Sequence, residues 1–447
     1  MSHNDIRVAV VGSGPSGFYT AGALLAEDGI TVDMFDRLPT PFGLVRAGVA
    51  PDHPKIKSVT RVFEKIARDP RFRFLGNVQV GRDVLTGHLA LYYDAVVYAH
   101  GADRGRFAGV PGDSLTGNHT ATEVVGWYNS HPDRADLELD LTGARAVVIG
   151  NGNVALDVTR ILALPAERLA ATDIADHALA ALRRSRLREI VVLGRRGAED
   201  AAFTVPELLE LGELPDVDVV VDPAELPGTH SALSDSAQEK VAILREYARR
   251  PQRTDNRRIV LRFHTTPVAV DGDEHVRGIR VRRTADRTGD ASERLLTAGL
   301  VVHAVGYTGS PLSGLPFDAE RGIVPNLHGR ILDADTVIPG QYVSGWIKRG
   351  PTGIIGTNRV CAQDTADSVL ADLRAGLLPP RRIEGDRDAA VQLLRHIGVE
   401  VVNFDGWKAI DEHECALGRP TGRPRVKLAR LPELLAVGAS PAASIDL

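Results

Sequence analysis

Two cysteines, Cys361 and Cys415, are all that 447 residues contain. They cannot form a C-x-x-C redox pair, and they are too few to ligate an iron–sulfur cluster. A dithiol reductase is thereby excluded. No apolar run approaches the roughly eighteen residues that a membrane span needs. There is no excess of positive charge: the formal net charge is -5, so no global nucleic-acid signal exists. No Ser–His–Asp pattern or metal-ligand arrangement occurs, so no metal site is expected. The first strand is expected near Ile6, which leaves no room for a signal or transit segment. A cytoplasmic location is expected, or an organelle matrix after trimming of a longer precursor.

What the chain does have is glycine, 44 residues of it, as suits a fold in which backbone approaches a ligand closely. Hydrophobic residues make up 43% and charged residues 25%, the balance of a globular protein long enough for two domains. "IRVAVVG" reads as a buried strand, and "GSGPSG" places Gly12, Gly14 and Gly17 in the G-x-G-x-x-G spacing. The first glycine makes a tight turn, the second admits a pyrophosphate, and the third lets helix and strand pack closely. The helix N-terminus adds free N–H groups and the positive end of its dipole. A second strand, "TVDMFD", ends in Asp36, an acid able to accept hydrogen bonds from a ribose diol.

"ARAVVIGNGNVALDVTRIL" repeats the device with Gly150, Gly152 and Ala155, and Asn151 and Asn153 are candidate side-chain donors. The following strand, "REIVVLGRR", ends in Arg195 and Arg196 instead of an acid. Two guanidiniums suit a ribose 2'-phosphate, so the second turn reads as an NADP(H) site and the first as a site for FAD. A flavin and a nicotinamide on one chain imply hydride transfer between them.

The expected fold is α/β, with two Rossmann-like dinucleotide-binding domains. The NADP domain is inserted in a discontinuous FAD domain. Glycine- and proline-containing crossings near residues 102 and 310 set the expected boundaries: 1–102 and 311–447 for the FAD domain, 103–310 for the NADP domain. Short β-rich runs in 259–302 suggest a meander in the inserted part. Helices are expected at 119–129 and 235–250, and the last seventy residues read as a helix mixed with short strands.

Several long stretches carry a resemblance. They are "GSGPSGFYTAGALL", "PTPFGLVRAGVAPDHPKIK", "VVIGNGNVALDVTRIL", "TDIADHAL", "VVLGRRGAEDAAFTVPELLEL", "SGWIKRGPTGIIGTN" and "FDGWKAIDEHECALGRPTGRPRVK". Nearly end to end, the chain resembles ferredoxin–NADP reductases of the adrenodoxin-reductase type, above all bacterial and mycobacterial members. The resemblance implies FAD on Gly12, Gly14, Gly17 and Asp36, with Leu44, Trp346 and Gly353 near the isoalloxazine. It implies NADP against Asn151, Gly152, Asn153, Val154, Arg195 and Arg196, with Glu207 near the nicotinamide nucleotide. It also implies that His53 and Asp157 pair close to the flavin, as catalytic or as structural groups. His100, in "YAHGADRG", departs from the small or polar residues usual at that place.

The activity implied is NADPH:ferredoxin oxidoreduction. NADPH gives a hydride to FAD N5, and single electrons pass through the semiquinone to an iron–sulfur ferredoxin that often feeds cytochromes P450. An acidic ferredoxin is expected to dock near Arg245, Arg249, Arg250 and Arg253, with no nucleic acid or membrane partner, on a monomer. At this point an NADPH-dependent flavin monooxygenase, or another flavin oxidoreductase with a non-ferredoxin acceptor, stays open.

Overall fold

Short apolar runs alternating with helix-length segments build two parallel sheets covered on both faces. The computed structural model describes residues 6–228, 233–284, 292–353, 355–383 and 385–439. The first sheet has seven strands. Its parallel part runs, side by side, Thr336–Val343, Ala95–Tyr98, Ile6–Val11, Ile30–Phe35 and Phe72–Leu75. Asn326–Leu327 and Arg330–Asp333 extend one edge antiparallel. The central strand is apolar on both faces because both are buried. Val8 and Val10 pack in the layer that holds Phe18 and Leu24, while Ala9 and Val11 pack with Leu75 and Val96.

The second sheet has six parallel strands: Asn118–Thr120, Leu300–His303, Arg145–Ile149, Glu189–Leu193, Arg257–Arg262 and Val217–Val221. Helices cover one face. An antiparallel meander, Thr265–Gly272, Val276–Arg283 and Glu293–Thr297, packs on the other through Val270, Ile279 and Val281. In each sheet the glycine turn follows a central strand whose two neighbours are reached in opposite directions. That is the switch point at which an open α/β sheet leaves a crevice.

Arg104–Gly105 pairs antiparallel with Tyr307–Thr308, so the two passages of the chain between the sheets lie side by side. The helices Ala121–Tyr128 and Asp235–Arg249 form at the expected places, the first with a capping box between Thr120 and Glu123.

The C-terminal part differs from the expectation of short strands. Among the described residues after Val343 it is helical: Trp346–Arg349, Ile355–Arg374, Ala389–His396, Phe404–Gly418 and Leu431–Gly438. "VEVV" has strand composition, but only Val402 pairs, through a two-bond bridge to Gly76 of 2.8 and 3.0 Å. The Val402 side chain is fully buried, so core packing accounts for the apolar residue there.

A polar seam joins the units. Lys57 and Lys427 both reach Asp173, at 2.6 and 3.1 Å. The Lys427 ammonium also donates to Asn129 Oδ1 and to the Arg46 carbonyl. Arg423 donates to the Thr172 and Ile174 carbonyls and pairs with Asp176. Arg46 is held bidentate by the fully buried Glu414. One C-terminal segment, residues 423–427, therefore straps the second unit to the first.

Candidate functional site

The first turn is built as its spacing requires. Gly12 has φ +107°, and a Cβ there would lie 2.6 Å from the Ala99 carbonyl oxygen. A Cβ on Gly17 would lie 2.0 Å from the Gly12 oxygen. Gly14 faces open space, with no atom within 4 Å of where its Cβ would be. The helix Pro15–Leu24 has no side-chain cap and no acid in its first turn, so its N-terminal dipole is uncompensated. This is a cradle for a pyrophosphate. Asp36 Oδ2 accepts from Ser13 N–H at 2.9 Å and from Ser13 Oγ at 2.5 Å, and Oδ1 accepts from Leu38 N–H at 2.9 Å. The acid braces the turn and retains acceptor capacity for a ribose. Replacing Gly14 by valine is expected to leave the protein folded but without flavin. Absorbance of the purified protein near 450 nm (roughly the flavin band), set beside its circular dichroism, checks this.

The second turn repeats the geometry. Gly150 has φ +113°, and a Cβ there would meet the Ala304 oxygen at 2.3 Å, whereas Gly152 has only the Ala202 Cβ at 3.9 Å. The helix Asn153–Ala163 also starts without a side-chain cap. Asn153 Oδ1 accepts from Thr204 N–H at 2.8 Å, and the Asn151 carbonyl accepts from Phe203 N–H at 2.9 Å. Both asparagines thus tie the turn to the segment before Glu207. A cleft of about 850 Å³ opens here, lined by Gly150–Val154, Arg195, Arg196, Tyr307 and Pro351. Arg195 and Arg196 are exposed at its wall. Arg106 lines it too, a third guanidinium that the sequence reading missed because it comes from the distant crossing segment.

Where the units meet, charged groups gather around Arg160. His53 and Glu210 are joined at 2.8 Å through Nε2 and Oε2. His53 Nδ1 lies 3.9 Å from Asp157 Oδ1, so the hydrogen-bonded partner of His53 is Glu210, and the expected pairing with Asp157 is only an approach. Position along the helix Val205–Leu211 explains this: Glu207 and Glu210 are one turn apart and present both carboxylates to one side. Arg160 binds Asp52 at 2.6 and 3.0 Å and Asp157 at 2.7 Å. Burial pushes the Asp157 carboxyl up despite Arg160 and His53, and burial with the Asp157 charge pushes Glu207 up. Burial would also raise Asp52, but its bonds to Arg160 outweigh that and hold it below the usual range. His53, Glu207 and Glu210 offer ligand atoms within 4.8 Å of one another. The Arg160 guanidinium lies within 3.7 Å of both glutamates, and its charge opposes a bound metal cation.

Leu44 is 41% exposed on the segment after the first turn. Trp346 is partly buried, packs tilted on Tyr307 at 5.4 Å and donates Nε1–H to the Thr352 carbonyl. Gly353 has φ +81° and precedes the helix Ile355–Arg374. Of the four basic residues expected on a docking surface, Arg249, Arg250 and Arg253 are exposed. Arg245 is half-buried and donates to the Pro227 carbonyl, and Arg250 is tied to Glu246 and the Gly212 carbonyl.

Two switch-point cradles on one chain, the second walled by arginines, define a two-nucleotide oxidoreductase. The family model of pyridine nucleotide-disulphide oxidoreductases matches residues 6–191. The chain is 49% identical to the NADPH-ferredoxin reductase FprA of Mycobacterium tuberculosis, over 96% of this chain and 98% of that one. It is 40% identical to the mitochondrial NADPH:adrenodoxin oxidoreductase of Arabidopsis thaliana, over 98% and 96%. A solved structure of M. tuberculosis FprA in complex with NADPH superposes with a TM-score of 0.90 at 48% identity, covering 97% of this chain and all of the other. The chain belongs to the FAD- and NADP(H)-dependent ferredoxin reductases of the adrenodoxin-reductase type.

Proposed function

We propose that the chain passes electrons from NADPH, through bound FAD, to a ferredoxin-type iron–sulfur protein. The observation that carries this reading is the cleft. It is lined by the glycine turn of the second sheet, by Arg195 and Arg196, and by Pro351 of the first unit, two residues before Gly353 in the chain. A nicotinamide nucleotide held by its phosphates at one end reaches the flavin side at the other.

FAD, when bound, supplies the chemistry that converts a two-electron donor into one-electron steps. The chain's own residues hold and orient. Gly12, Gly14 and Gly17 cradle the FAD pyrophosphate, Asp36 takes the adenosine ribose, and Leu44, Trp346 and Gly353 bound the ring. Gly152 to Val154 and the helix N-terminus behind them hold the NADP pyrophosphate, and Arg195 and Arg196 take the 2'-phosphate. His53, with Glu210 rather than Asp157 as its bonded partner, presents its ring at the meeting point of the two sites. No proton need leave the protein for the hydride to pass, so this group serves placement and exclusion of water.

The working division is 1–102 with 311–447 for FAD, and 103–310 for NADP. Cytoplasmic residence is part of the proposal; among the described residues no helix is long and apolar enough to cross a membrane. Arg249 and Arg253 are the best candidates to meet an acidic ferredoxin. Arg245 and Arg250 contribute less because protein carbonyls already engage them.

Anaerobic mixing with NADPH or NADH, followed by oxidised ferredoxin, tests the reading. Fast, NADPH-preferring flavin bleaching and then reduction of ferredoxin are expected. Charge reversal at Arg249 and Arg253 should raise the KM for ferredoxin and flatten its salt dependence. Bleaching with no transfer to any ferredoxin would reject the partner.

A further inference from the structure

One guanidinium ties together three elements of the site. Arg160 is 2% exposed. It grips Asp52, next to His53 on the first unit, with two bonds. It grips Asp157 one turn back on its own helix. Its remaining Nη1 lies 3.6 Å from Glu207 Oε2 and 3.7 Å from Glu210 Oε2, on a third element. Nη1 has no hydrogen-bond partner, and neither has Glu207 Oε2. A buried arginine that served only as a brace would be expected to saturate its donors. This one leaves a donor facing two carboxylates just beyond bonding range.

We propose that Arg160 is a positioning residue for hydride transfer. It acts through Asp52 to place His53 and, through the open Nη1, sets where Glu207 and Glu210 stand. The inference deepens the reading of His53 and Glu210 as a group facing the nicotinamide, and rests on it. Asp52 and His53 share one short segment, so clamping the carboxylate fixes the backbone from which the imidazole projects. His53 in turn bonds Glu210, the outer of the two glutamates that Nη1 faces. Loss of the guanidinium frees the His53 segment from the helix and removes the arginine charge that faces Asp52, Asp157, Glu207 and Glu210. The other titratable groups facing the cluster are His53 itself and the buried phenols Tyr128 and Tyr307.

The sign of the pH effect follows. The Arg160 charge lowers Asp157 and Glu207, which burial raises. Without it both carboxyls keep their protons to higher pH, and any limb of the rate profile set by them moves upward.

The test uses the FAD-loaded full-length protein and the variants Arg160→Gln, Arg160→Lys, Asp52→Asn and His53→Gln. Flavin reduction by NADPH is followed by anaerobic stopped flow across pH, and NADP⁺ affinity by calorimetry. Arg160→Gln is expected to slow reduction roughly ten- to a hundredfold and to shift the profile upward, with NADP⁺ affinity altered less than about threefold. Arg160→Lys should recover part of the rate. Asp52→Asn should slow reduction without the upward shift, any movement of the limb being downward, because the guanidinium stays and the Asp52 charge that raises Asp157 is gone. Arg160→Gln that melts lower but reduces at the wild-type rate with an unmoved profile makes Arg160 a structural brace and overturns the inference. If Arg160→Gln does not retain FAD, wild-type rates in both Arg160→Lys and Asp52→Asn overturn it. His53→Gln at the wild-type rate would sink the underlying reading. A slow His53→Gln beside an unaffected Arg160→Gln would sink the inference alone.

Discussion

Replacing Arg195 and Arg196 together by alanine will raise the KM for NADPH by roughly 100- to 1,000-fold and leave that for NADH within about a factor of two. Each guanidinium offers charge-assisted hydrogen bonds worth about 1.5–3 kcal/mol to a phosphate dianion. Both residues are exposed, so the lower half of that range applies. Together they amount to about 3–4 kcal/mol, and each 1.4 kcal/mol is tenfold. NADH has no 2'-phosphate and so loses little. Among the described residues, neither arginine forms a salt bridge with another side chain, so the double variant breaks no ion pair. The limiting rate of flavin reduction at saturating NADPH should hold, because the phosphate lies far from the reacting carbon. Steady-state ferredoxin reduction with both nucleotides decides this. Equal losses for NADPH and NADH would mean that the arginines support the fold of the cleft instead of reading the phosphate. Arg106, on the same wall, should give a smaller effect of the same sign.

Changing Asp173 to asparagine will destabilise the protein by about 3–5 kcal/mol, because it strands the buried Lys427 ammonium and the partly buried one of Lys57. Lys57 and Lys427 both depend on this carboxylate. Burial already presses Lys427 down to about 7, with Asp173 opposing the shift. Asp173 itself is drawn down to about 2, since the two lysines outweigh its own burial. The two shifts act oppositely on stability. Asp173 stabilises the fold above its unfolded pKa, and that contribution is lost as pH falls from about 4 towards 2. Lys427 binds fewer protons folded than unfolded between about 7 and 10.5, so its contribution makes stability rise with pH across that window. In the variant, Lys427 loses its anion and its pKa falls further. The unfolded lysine titrates alike in both proteins and cancels, so the penalty should be largest in mildly acid solution, where Asp173 is ionised and Lys427 still protonated, and shrink as pH rises towards about 7, where folded Lys427 of the unaltered protein also loses its proton. Thermal melts of both proteins across pH check this, with a drop on the order of 5–10 °C expected at about pH 5. Flavin fluorescence should rise before global unfolding, because the strap at 423–427 holds the two units together through this cluster. A penalty that stays constant with pH would place the cost elsewhere than in the stranded lysines.

The cradles were legible in the chain itself. A strand, a turn that only glycine can make and a helix start are contiguous, so their geometry is set by local sterics: Gly12 and Gly150 at positive φ, Gly17 against the Gly12 carbonyl. The change from Asp36 to Arg195 and Arg196 is likewise local to a strand end, so the contrast between the two turns is legible without the fold. The parallel sheets follow from apolar runs separated by helices, and the meander from its short β-rich runs. Tertiary structure decided the rest. Short strands were expected in the last seventy residues, yet of "VEVV" only Val402 found a partner edge. His53 was expected beside Asp157, but packing of the helix Val205–Leu211 brought Glu210 closer. Arg160 reads in sequence as an ordinary helical arginine. It becomes a hub only because Asp52, 108 residues earlier, and Glu207, on another helix, converge on it. Arg106 enters the cleft, and Lys427 meets Asp173, for the same reason. Backbone conformation is dictated by neighbours in sequence. Charge clusters are dictated by neighbours in space, and no spacing along the chain encodes those.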